Sequence, residues 1–393
     1  MRFRVRTFNS ISPKGLERLP PDRYEVGPEI ARPDAILLRS ADIHQLDIPR
    51  SVLAVARAGA GTNNIPVSRL SQRGVPVFNA PGANANAVKE LVLAGLFLGA
   101  RHIGPALDFV RSLEQSGDAL EQAVEEGKKR FIGHELPGRV LGVIGLGAIG
   151  VEVANAAHLL GMHVLGYDPQ ITVQRAWQLS SGVGQALSLE DIFARSHAVT
   201  VHVPLTDATR GLVNAKRIAL MPEGGTVLNF ARSAIVDEPA VIGALRSGRL
   251  AAYVCDFPSA AARGVPGVVA LPHLGASTSE AEENCAMMVA DTLRDFLEHG
   301  NVRHSVNFPE AALPRVPATA RIAIANSNVP NMVGQISTRL AEAGLNIADL
   351  LNKSKGELAY TLIDIDGRVP AGLVERVASI QGVLSARAVQ WAT

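Results

Sequence analysis

A side chain that suits anion binding and one that suits proton transfer each follow an apolar run, far apart in the sequence. Arg232 comes shortly after the run 226–229, and His273 comes shortly after the run 268–271. Arginine stays charged and binds two oxygens at once with its planar fork. Histidine titrates near neutral pH, so an imidazole can take up or release a proton. The pair could therefore hold the carboxylate of a 2-hydroxy acid and remove its hydroxyl proton as a hydride leaves.

A glycine-rich segment could bind the hydride acceptor. The apolar run 140–144 ends at Gly145, Gly147 and Gly150, and a helical pattern begins at once. In a strand–helix unit, the first glycine permits a tight turn, the second lets the backbone approach a pyrophosphate, and the third lets the helix pack on the strand. The helix N-terminus offers free N–H groups to the anion. The segment predicts a dinucleotide site.

Asp168 extends this prediction to the nucleoside. It follows an apolar run at 163–167, roughly 20 residues beyond the glycines, where an acid accepts hydrogen bonds from a ribose. Pro169 and Gln170 come next, so no basic residue directly follows to receive a 2′-phosphate. The sequence favours NAD over NADP.

The N-terminal part also alternates apolar runs with helical patterns, which predicts a second parallel-sheet domain. Its runs at 35–38, 52–55 and 75–78 precede residues that could touch a ligand, because ligands bind beyond the carboxyl ends of parallel strands. These candidate substrate-binding residues are Arg39, Ser40, Ala60, Gly61 and Asn84. Arg39 could grip a phosphate or carboxylate, or it could be a solvated loop arginine.

The C-terminal part has a different pattern. A proline-spaced segment at 308–317 reads as a linker, and strands and helices then follow in the order βαββαβ from residue 321 to 389. The predicted fold is α/β, with two Rossmann-like doubly wound parallel-sheet domains and a C-terminal ferredoxin-like domain.

Composition limits the partners. The 393 residues carry a formal net charge of +1, which gives no reason to expect nucleic acid or an anionic membrane as a partner. The two cysteines form no disulfide framework, and the N-terminus has no apolar signal core, so we expect a cytoplasmic protein. The longest apolar run, 91–100, is about half of a membrane span. No metal site is predicted.

Four motifs resemble the D-2-hydroxyacid dehydrogenase family. They are residues 77–84 (VFNAPGAN), 135–147 (ELPGRVLGVIGLG), 229–238 (NFARSAIVDE) and 272–278 (PHLGAST). The resemblance implies that Arg232 binds substrate and that His273 exchanges the proton. It also implies that cofactor contacts come from Ala148, Ile149, Asp168, Pro204, Phe230 and Asp256.

The resemblance also implies an activity and a domain plan. The activity is NAD-dependent oxidation of 3-phospho-D-glycerate, the first step of L-serine biosynthesis. A glyoxylate or hydroxypyruvate reductase, or a nucleotide-sensing regulator without catalysis, stays open. The predicted domains are 1–86 with 284–311 for substrate, 87–283 for NAD, a linker at 312–317, and 318–393.

One family residue is missing. Members have a glutamate shortly before the histidine, which orients the imidazole and raises its pKa. Here no acid lies between Asp256 and His273. Either Asp256 takes over that task, or it keeps the family's contact to the nicotinamide amide and leaves His273 without a carboxylate.

The C-terminal domain resembles an ACT domain through residues 328–336 (NVPNMVGQI) and 344–347 (GLNI). Such domains pair edge to edge and bind amino acids between subunits. The resemblance implies an effector, L-serine, at Asn326, Asn328 and Asn346, in a homodimer or homotetramer. A purely dimerising module is the alternative. Asn331 replaces a family glycine, and asparagine tolerates positive φ.

Overall fold

The computed structural model of the protein describes residues 2–315 and 319–389. The chain divides into two units, Met1–Asn84 with Ser279–Thr393 and Ala85–Thr278.

The N-terminal part of the first unit is a five-stranded parallel sheet with the strand order β2-β1-β3-β4-β5. Its strands are β1 (Phe3–Phe8), β2 (Tyr24–Gly27), β3 (Ala35–Leu38), β4 (Ala54–Arg57) and β5 (Val77–Phe78), and its helices are α1 (Pro13–Leu16) and α2 (Val67–Ser71). β3 is buried at every position, as a parallel strand covered on both faces should be. The strand β2 was not predicted, because its short sequence YEVG is half polar or glycine.

The second unit contains a seven-stranded parallel sheet. Its strands are β6 (Val140–Ile144), β7 (His163–Tyr167), β8 (Val183–Gln185), β9 (Ala198–Val201), β10 (Gly225–Asn229), β11 (Leu250–Cys255) and β12 (Val268–Ala270). Its α-helices are α3 (Ala85–Arg101), α4 (Ile103–Arg111), α5 (Asp118–Gly127), α6 (Ala148–Leu159), α7 (Val173–Ala176), α8 (Leu189–Arg195), α9 (Ala215–Ile218) and α10 (Glu238–Arg246), with 3-10 turns at Lys128–Phe131 and Ser233–Ile235.

The strand order β12-β11-β10-β9-β6-β7-β8 fixes where a ligand can bind. The chain runs outward in one direction from β6 through β7 and in the other from β9, so a crevice opens beyond the carboxyl ends of β6 and β9. Gly145 ends β6 there with φ +90°, and a Cβ on it would lie 2.7 Å from the carbonyl oxygen of His202, the residue that follows β9.

Helix α3 packs closely on β10 and β11. A Cβ on Gly95 would lie 3.1 Å from the Phe230 ring, and one on Gly99 would lie 3.3 Å from Ala252. This close packing fixes the end of β10. Among the described residues no single helix is long and apolar enough to cross a membrane; only the pair α3 and α4, bent by 67°, passes that test jointly.

The C-terminal part of the first unit begins with α11 (Ser279–His299). The order βαββαβ follows, as predicted: β13 (Thr319–Ser327), α12 (Met332–Glu342), β14 (Ile347–Lys355), β15 (Leu358–Asp366), α13 (Leu373–Ala378) and β16 (Val383–Val389). The antiparallel strand order is β14-β15-β13-β16. Asn331 has φ +62°, so the prediction of a tolerated positive φ is confirmed.

The two faces of this antiparallel sheet have different partners. Ile322 and Ile324 of β13 pack with α12 and α13, whereas Ala323 and Ala325 join the core of α11 and the N-terminal sheet. Within the predicted linker, Leu313 is buried against that core. Val316 and Pro317, which end the linker, lie outside the described residues.

Candidate active site at the strand ends of the second unit

A short turn after β10 presents Arg232. The Asn229 side chain closes this turn, because its Oδ1 accepts from the Ala231 N–H at 3.1 Å and its Nδ2 donates to the Arg232 carbonyl at 3.0 Å. The Arg232 guanidinium is exposed and donates to the Ala231 carbonyl at 2.6 Å. Within the described residues it makes no other hydrogen bond or ion pair. Most of its five donors are thus free to bind an anion.

His273 follows β12 in a backbone conformation that is unusual for histidine. Its φ is +51°, in the left-handed region, and its N–H donates to the carbonyls of Asp256 and Leu271, both at 3.1 Å. Such a conformation costs on the order of 1 kcal/mol or more and persists only where the surroundings impose it. The ring is packed against Phe257, with centroids 5.1 Å apart, and the residue is exposed to solvent.

Asp256 comes directly after β11, the strand between those that precede the other two residues, and is 1% exposed. Its Oδ2 accepts from the Gly275 N–H at 3.3 Å, whereas its Oδ1 has no hydrogen-bond partner in the described part of the chain. Burial raises the pKa of Asp256, and the charges of His273 and Arg232 partly oppose that rise. Asp256 is therefore within electrostatic reach of both His273 and Arg232, and the three residues follow three adjacent strands.

The loop after Asp256 does not supply the missing glutamate. An acid from another element, Glu238 at the start of α10, does contact this loop, but its carboxylate accepts from the Ser259 hydroxyl at 2.7 Å. The Asp256 carboxylate makes no hydrogen bond to the His273 ring among the described residues. Both interpretations of Asp256 therefore stay predictions.

The glycine turn fits a dinucleotide. A Cβ on Gly147 would meet nothing within 4 Å, which leaves the approach to the first turn of α6 open. A Cβ on Gly150 would lie 1.8 Å from the Gly145 carbonyl oxygen, so only glycine lets the helix pack this close to the strand end. Ala148 and Ile149 open α6, where backbone N–H groups lack partners within the helix.

Other predicted cofactor residues stand at the same sheet edge. The Asp168 carboxylate accepts from the Leu146 N–H at 2.9 Å and the Gln170 N–H at 2.8 Å, and each oxygen keeps a lone pair for a ribose hydroxyl. Pro204 follows β9, and its carbonyl accepts from the Thr209 hydroxyl at 2.6 Å. Phe230 is buried after β10. The residues present thus suit NAD.

The candidate substrate residues of the first unit follow the adjacent strands β3, β4 and β5. Arg39 after β3 is ion-paired with Glu282 of α11, and the Ser40 N–H donates to the Asn9 side chain at 3.1 Å. The Asn84 Oδ1 is buried with no hydrogen-bond partner in the described part of the chain. The Ala60 carbonyl accepts from the Asn79 side chain at 2.5 Å.

Sequence reasoning gave no role to Arg57, the last residue of β4. Its guanidinium donates to the carbonyls of Arg39 at 2.8 Å and Gly61 at 2.5 Å, and so joins the two loops that carry the candidate substrate residues. Its position at the carboxyl end of a buried strand was the available signal.

The candidate effector residues do not converge within one chain. Asn326 and Asn328 lie beside the start of β15, where Asn326 pairs with Ala359 and the Asn328 side chain donates to the Gly356 carbonyl at 3.0 Å. Asn346 instead donates to Asp366 at 2.7 Å, at the far end of β15. The strand β15 therefore separates Asn326 and Asn328 from Asn346 within the chain.

Comparisons with known proteins agree with this geometry. The family described as D-isomer specific 2-hydroxyacid dehydrogenase, NAD binding domain, matches residues 103–275. The D-3-phosphoglycerate dehydrogenase of Haemophilus influenzae is 32% identical over 347 residues, which cover 86% of this chain and 81% of that relative.

Solved structures agree as well. The NAD+-bound 3-phosphoglycerate dehydrogenase of Entamoeba histolytica is 25% identical with a TM-score of 0.59, and the match covers 78% of this chain and 99% of that one. The holo D-mandelate dehydrogenase of Rhodotorula graminis shares the fold, with a TM-score of 0.68 at 24% identity over 80% of this chain and 99% of that one.

The chain belongs to the D-2-hydroxyacid dehydrogenase family, and its cofactor is NAD. Within that family it is similar to the D-3-phosphoglycerate dehydrogenases.

Proposed function

We propose that this chain oxidises 3-phospho-D-glycerate to 3-phosphohydroxypyruvate, with NAD as acceptor, in the first step of L-serine biosynthesis. The observation that carries the proposal is the placement of Arg232, Asp256 and His273 on three neighbouring strand ends of the nucleotide sheet. The relatives that cover most of the chain support this choice of substrate.

In the proposed mechanism Arg232 binds the C1 carboxylate and the C2 oxygen, because its free donors form a fork that matches two oxygens. The exposed His273 ring takes the proton of the C2 hydroxyl. The buried Asp256 carboxylate, whose charge interacts with that of His273, would supply negative charge near the imidazole. The 145–150 turn and Asp168 would hold NAD, which when bound would supply the acceptor for the C2 hydride.

The phosphate is assigned to the candidate substrate residues, with Arg39 as its cation. Phosphate binding there would compete with Glu282, which now occupies Arg39. Both side chains of that pair are about 40% exposed, at 38% and 41%, so solvent screens the pair and a phosphate dianion can displace it. Gly61 and Ser40 would add backbone or hydroxyl donors.

The proposal includes location and assembly. We place the enzyme in the cytoplasm as a homodimer or homotetramer, with residues 318–393 as a regulatory domain. L-serine is the proposed effector, held by Asn326 and Asn328 of one chain and Asn346 of another. The separation of these asparagines along β15 supports a site shared between chains.

The test compares initial rates of NADH formation with 3-phosphoglycerate and with unphosphorylated D-glycerate, in the wild type and in Arg39→Ala. We expect turnover of the phosphorylated acid, and a KM for it that rises about tenfold in Arg39→Ala, since a charged hydrogen-bonded pair is lost. The KM for D-glycerate should not change. Arg246→Ala, which removes an exposed arginine of α10, is the matched control.

A glyoxylate or hydroxypyruvate reductase is the second candidate, because Glu282 already neutralises Arg39. Equal effects of Arg39→Ala on both acids, with faster reduction of hydroxypyruvate or glyoxylate, would favour it. NAD binding without turnover of any of these acids would favour a nucleotide-sensing regulator.

A further inference from the structure

A cavity of about 470 Å³ lies within the first unit, away from the candidate substrate residues. One wall is formed by the N-terminal sheet around Arg50, Val52 and Arg73, and the opposite wall by Tyr360 and Arg387 of the C-terminal sheet. The volume is in the range of small-molecule sites. It is therefore large enough for a metabolite of a few carbon atoms.

The lining carries positive charge without a counterion. Three of the lining residues are arginines (Arg50, Arg73 and Arg387), and none is an aspartate or glutamate. Arg50 is exposed, and within the described residues it makes no hydrogen bond or ion pair. Burial lowers the pKa of Arg73, and the nearby Arg69 and Arg50 lower it further, with Asp47 in partial opposition. An anion in the cavity would relieve this repulsion.

The arginines are held in place but keep donors to offer. Arg73 donates to the carbonyls of Ile48 at 2.9 Å and Pro49 at 2.8 Å. Arg387 donates to the Phe296 and Leu297 carbonyls, and its guanidinium lies 4.6 Å from the Phe296 ring centroid. Because each guanidinium has five N–H donors, these bonds orient both groups without using them up.

The two walls are joined around the cavity. The Ser385 hydroxyl of β16 donates to the Gly74 carbonyl at 3.0 Å, and the Tyr360 hydroxyl donates to the Gly300 carbonyl at 2.9 Å, just beyond α11. Apolar side chains, including Val52 and Leu384, line the rest. The cavity therefore combines fixed cations with room for a short carbon chain.

We propose that this cavity is a second ligand site, which binds a small organic anion through a phosphate or carboxylate group. The anion would bridge Arg50 and Arg73 on one wall and Arg387 on the other, and so would stabilise the contact between the C-terminal and N-terminal sheets. Helix α11 lies in that contact and carries Glu282, which is ion-paired with Arg39. A ligand in the cavity would therefore act on this ion pair through α11.

The test is calorimetric titration of inorganic phosphate, and separately of citrate, into the full chain carrying Arg39→Ala and Arg232→Gln. These two substitutions remove the anion-binding arginines of the proposed active site, so the result does not depend on turnover. We expect one saturable site per chain with at least one anion, and the anion that binds identifies a phosphate or a carboxylate ligand. Adding Arg50→Glu should weaken binding about tenfold or more.

Arg246→Glu, an equal charge change on the exposed face of α10, is the control and should leave binding unchanged. Arg73→Gln is the second test variant, accepted only if its thermal unfolding midpoint matches that of the parent. The proposal is wrong if Arg50→Glu binds as tightly as the parent, or if sodium chloride at equal ionic strength abolishes binding of both anions.

Discussion

Arg321 and Arg232 are both arginines placed by a strand, yet they differ in how many of their donors the chain satisfies. Arg321, in β13, is 0% exposed and makes five hydrogen bonds, two of them to Asp364 at 2.6 and 2.7 Å. The others reach the carbonyls of His299, Leu313 and Pro314. The Arg232 side chain is exposed and, within the described residues, makes one hydrogen bond, to the Ala231 carbonyl of its own loop.

The carboxylates of Asp364 and Asp256 differ in the same way, in how far the chain satisfies their hydrogen bonds. Both oxygens of Asp364 accept from Arg321, whereas the buried Oδ1 of Asp256 has no partner among the described residues. A polar cluster completed within the chain stabilises the fold. A cluster left incomplete costs stability, and such sites are typical of function.

The largest effect should come from Arg232→Gln. The change removes the cation that binds the carboxylate, so kcat/KM for 3-phosphoglycerate should fall about 10³-fold, as is common when a transition-state contact is lost. The thermal unfolding midpoint should stay within about 2 °C of wild type, because only one exposed hydrogen bond disappears. A large drop in the midpoint would show that Arg232, like Arg321, stabilises the fold.

Arg321→Leu should instead lower the free energy of unfolding and leave kcat nearly unchanged. It leaves Asp364 buried without its partner, which typically costs about 3–5 kcal/mol. Urea unfolding should show that loss, while kcat per folded molecule should change less than about threefold. A well-folded variant with strongly reduced kcat would contradict the structural assignment of Arg321.

Asp256→Asn should raise the stability of the fold and lower the catalytic rate. Burial raises the pKa of Asp256, so its ionisation costs stability as the pH rises above its unfolded value of about 4. The neutral variant should therefore unfold at a higher temperature at pH 7. Its kcat should fall, and the acidic limb of its pH–rate profile should move to lower pH, because His273 loses a nearby negative charge. An unchanged profile would remove Asp256 from the mechanism.

Glu282→Gln should have a smaller effect. It frees Arg39 from its competing carboxylate, so the KM for 3-phosphoglycerate should fall about threefold, in line with the modest strength of exposed ion pairs. The effect should vanish when Arg39→Ala is already present. Persistence in that double variant would show that Glu282 acts by another route.

The smallest effect should be the acid sensitivity due to His202, which lies beside the glycine turn. Burial lowers its pKa to about 3, and its Nε2 lies 2.9 Å from the Thr200 hydroxyl. Because the unfolded value is about 6.5, the neutral ring contributes stability that is present above that pH and is lost as the pH falls toward 3.

His202→Gln should therefore flatten the decline in urea midpoint between about pH 6.5 and 4.5. The exposed His163 of β7 gives the control His163→Gln, which should keep the wild-type slope.

The sequence predicted those features that depend on local pattern. The glycine turn, the βαββαβ order and the strand ends that carry Arg232 and His273 all follow from apolar runs and their boundaries. The positive φ of His273 and the pairing of Arg39 with Glu282 could not be predicted, because each depends on contacts between residues distant in sequence. The same is true of the Arg321 cluster, whose five bonds reach three separate segments.

The most direct measurement is an experimental structure of the full chain with NAD and a non-reacting analogue of a 2-hydroxy acid. We expect the Arg232 guanidinium within about 2.6–3.2 Å of the analogue's carboxylate, and a His273 ring nitrogen within the same distance of its C2 oxygen. A bound analogue that touches neither side chain, or only one of them, would contradict the proposed catalytic pair.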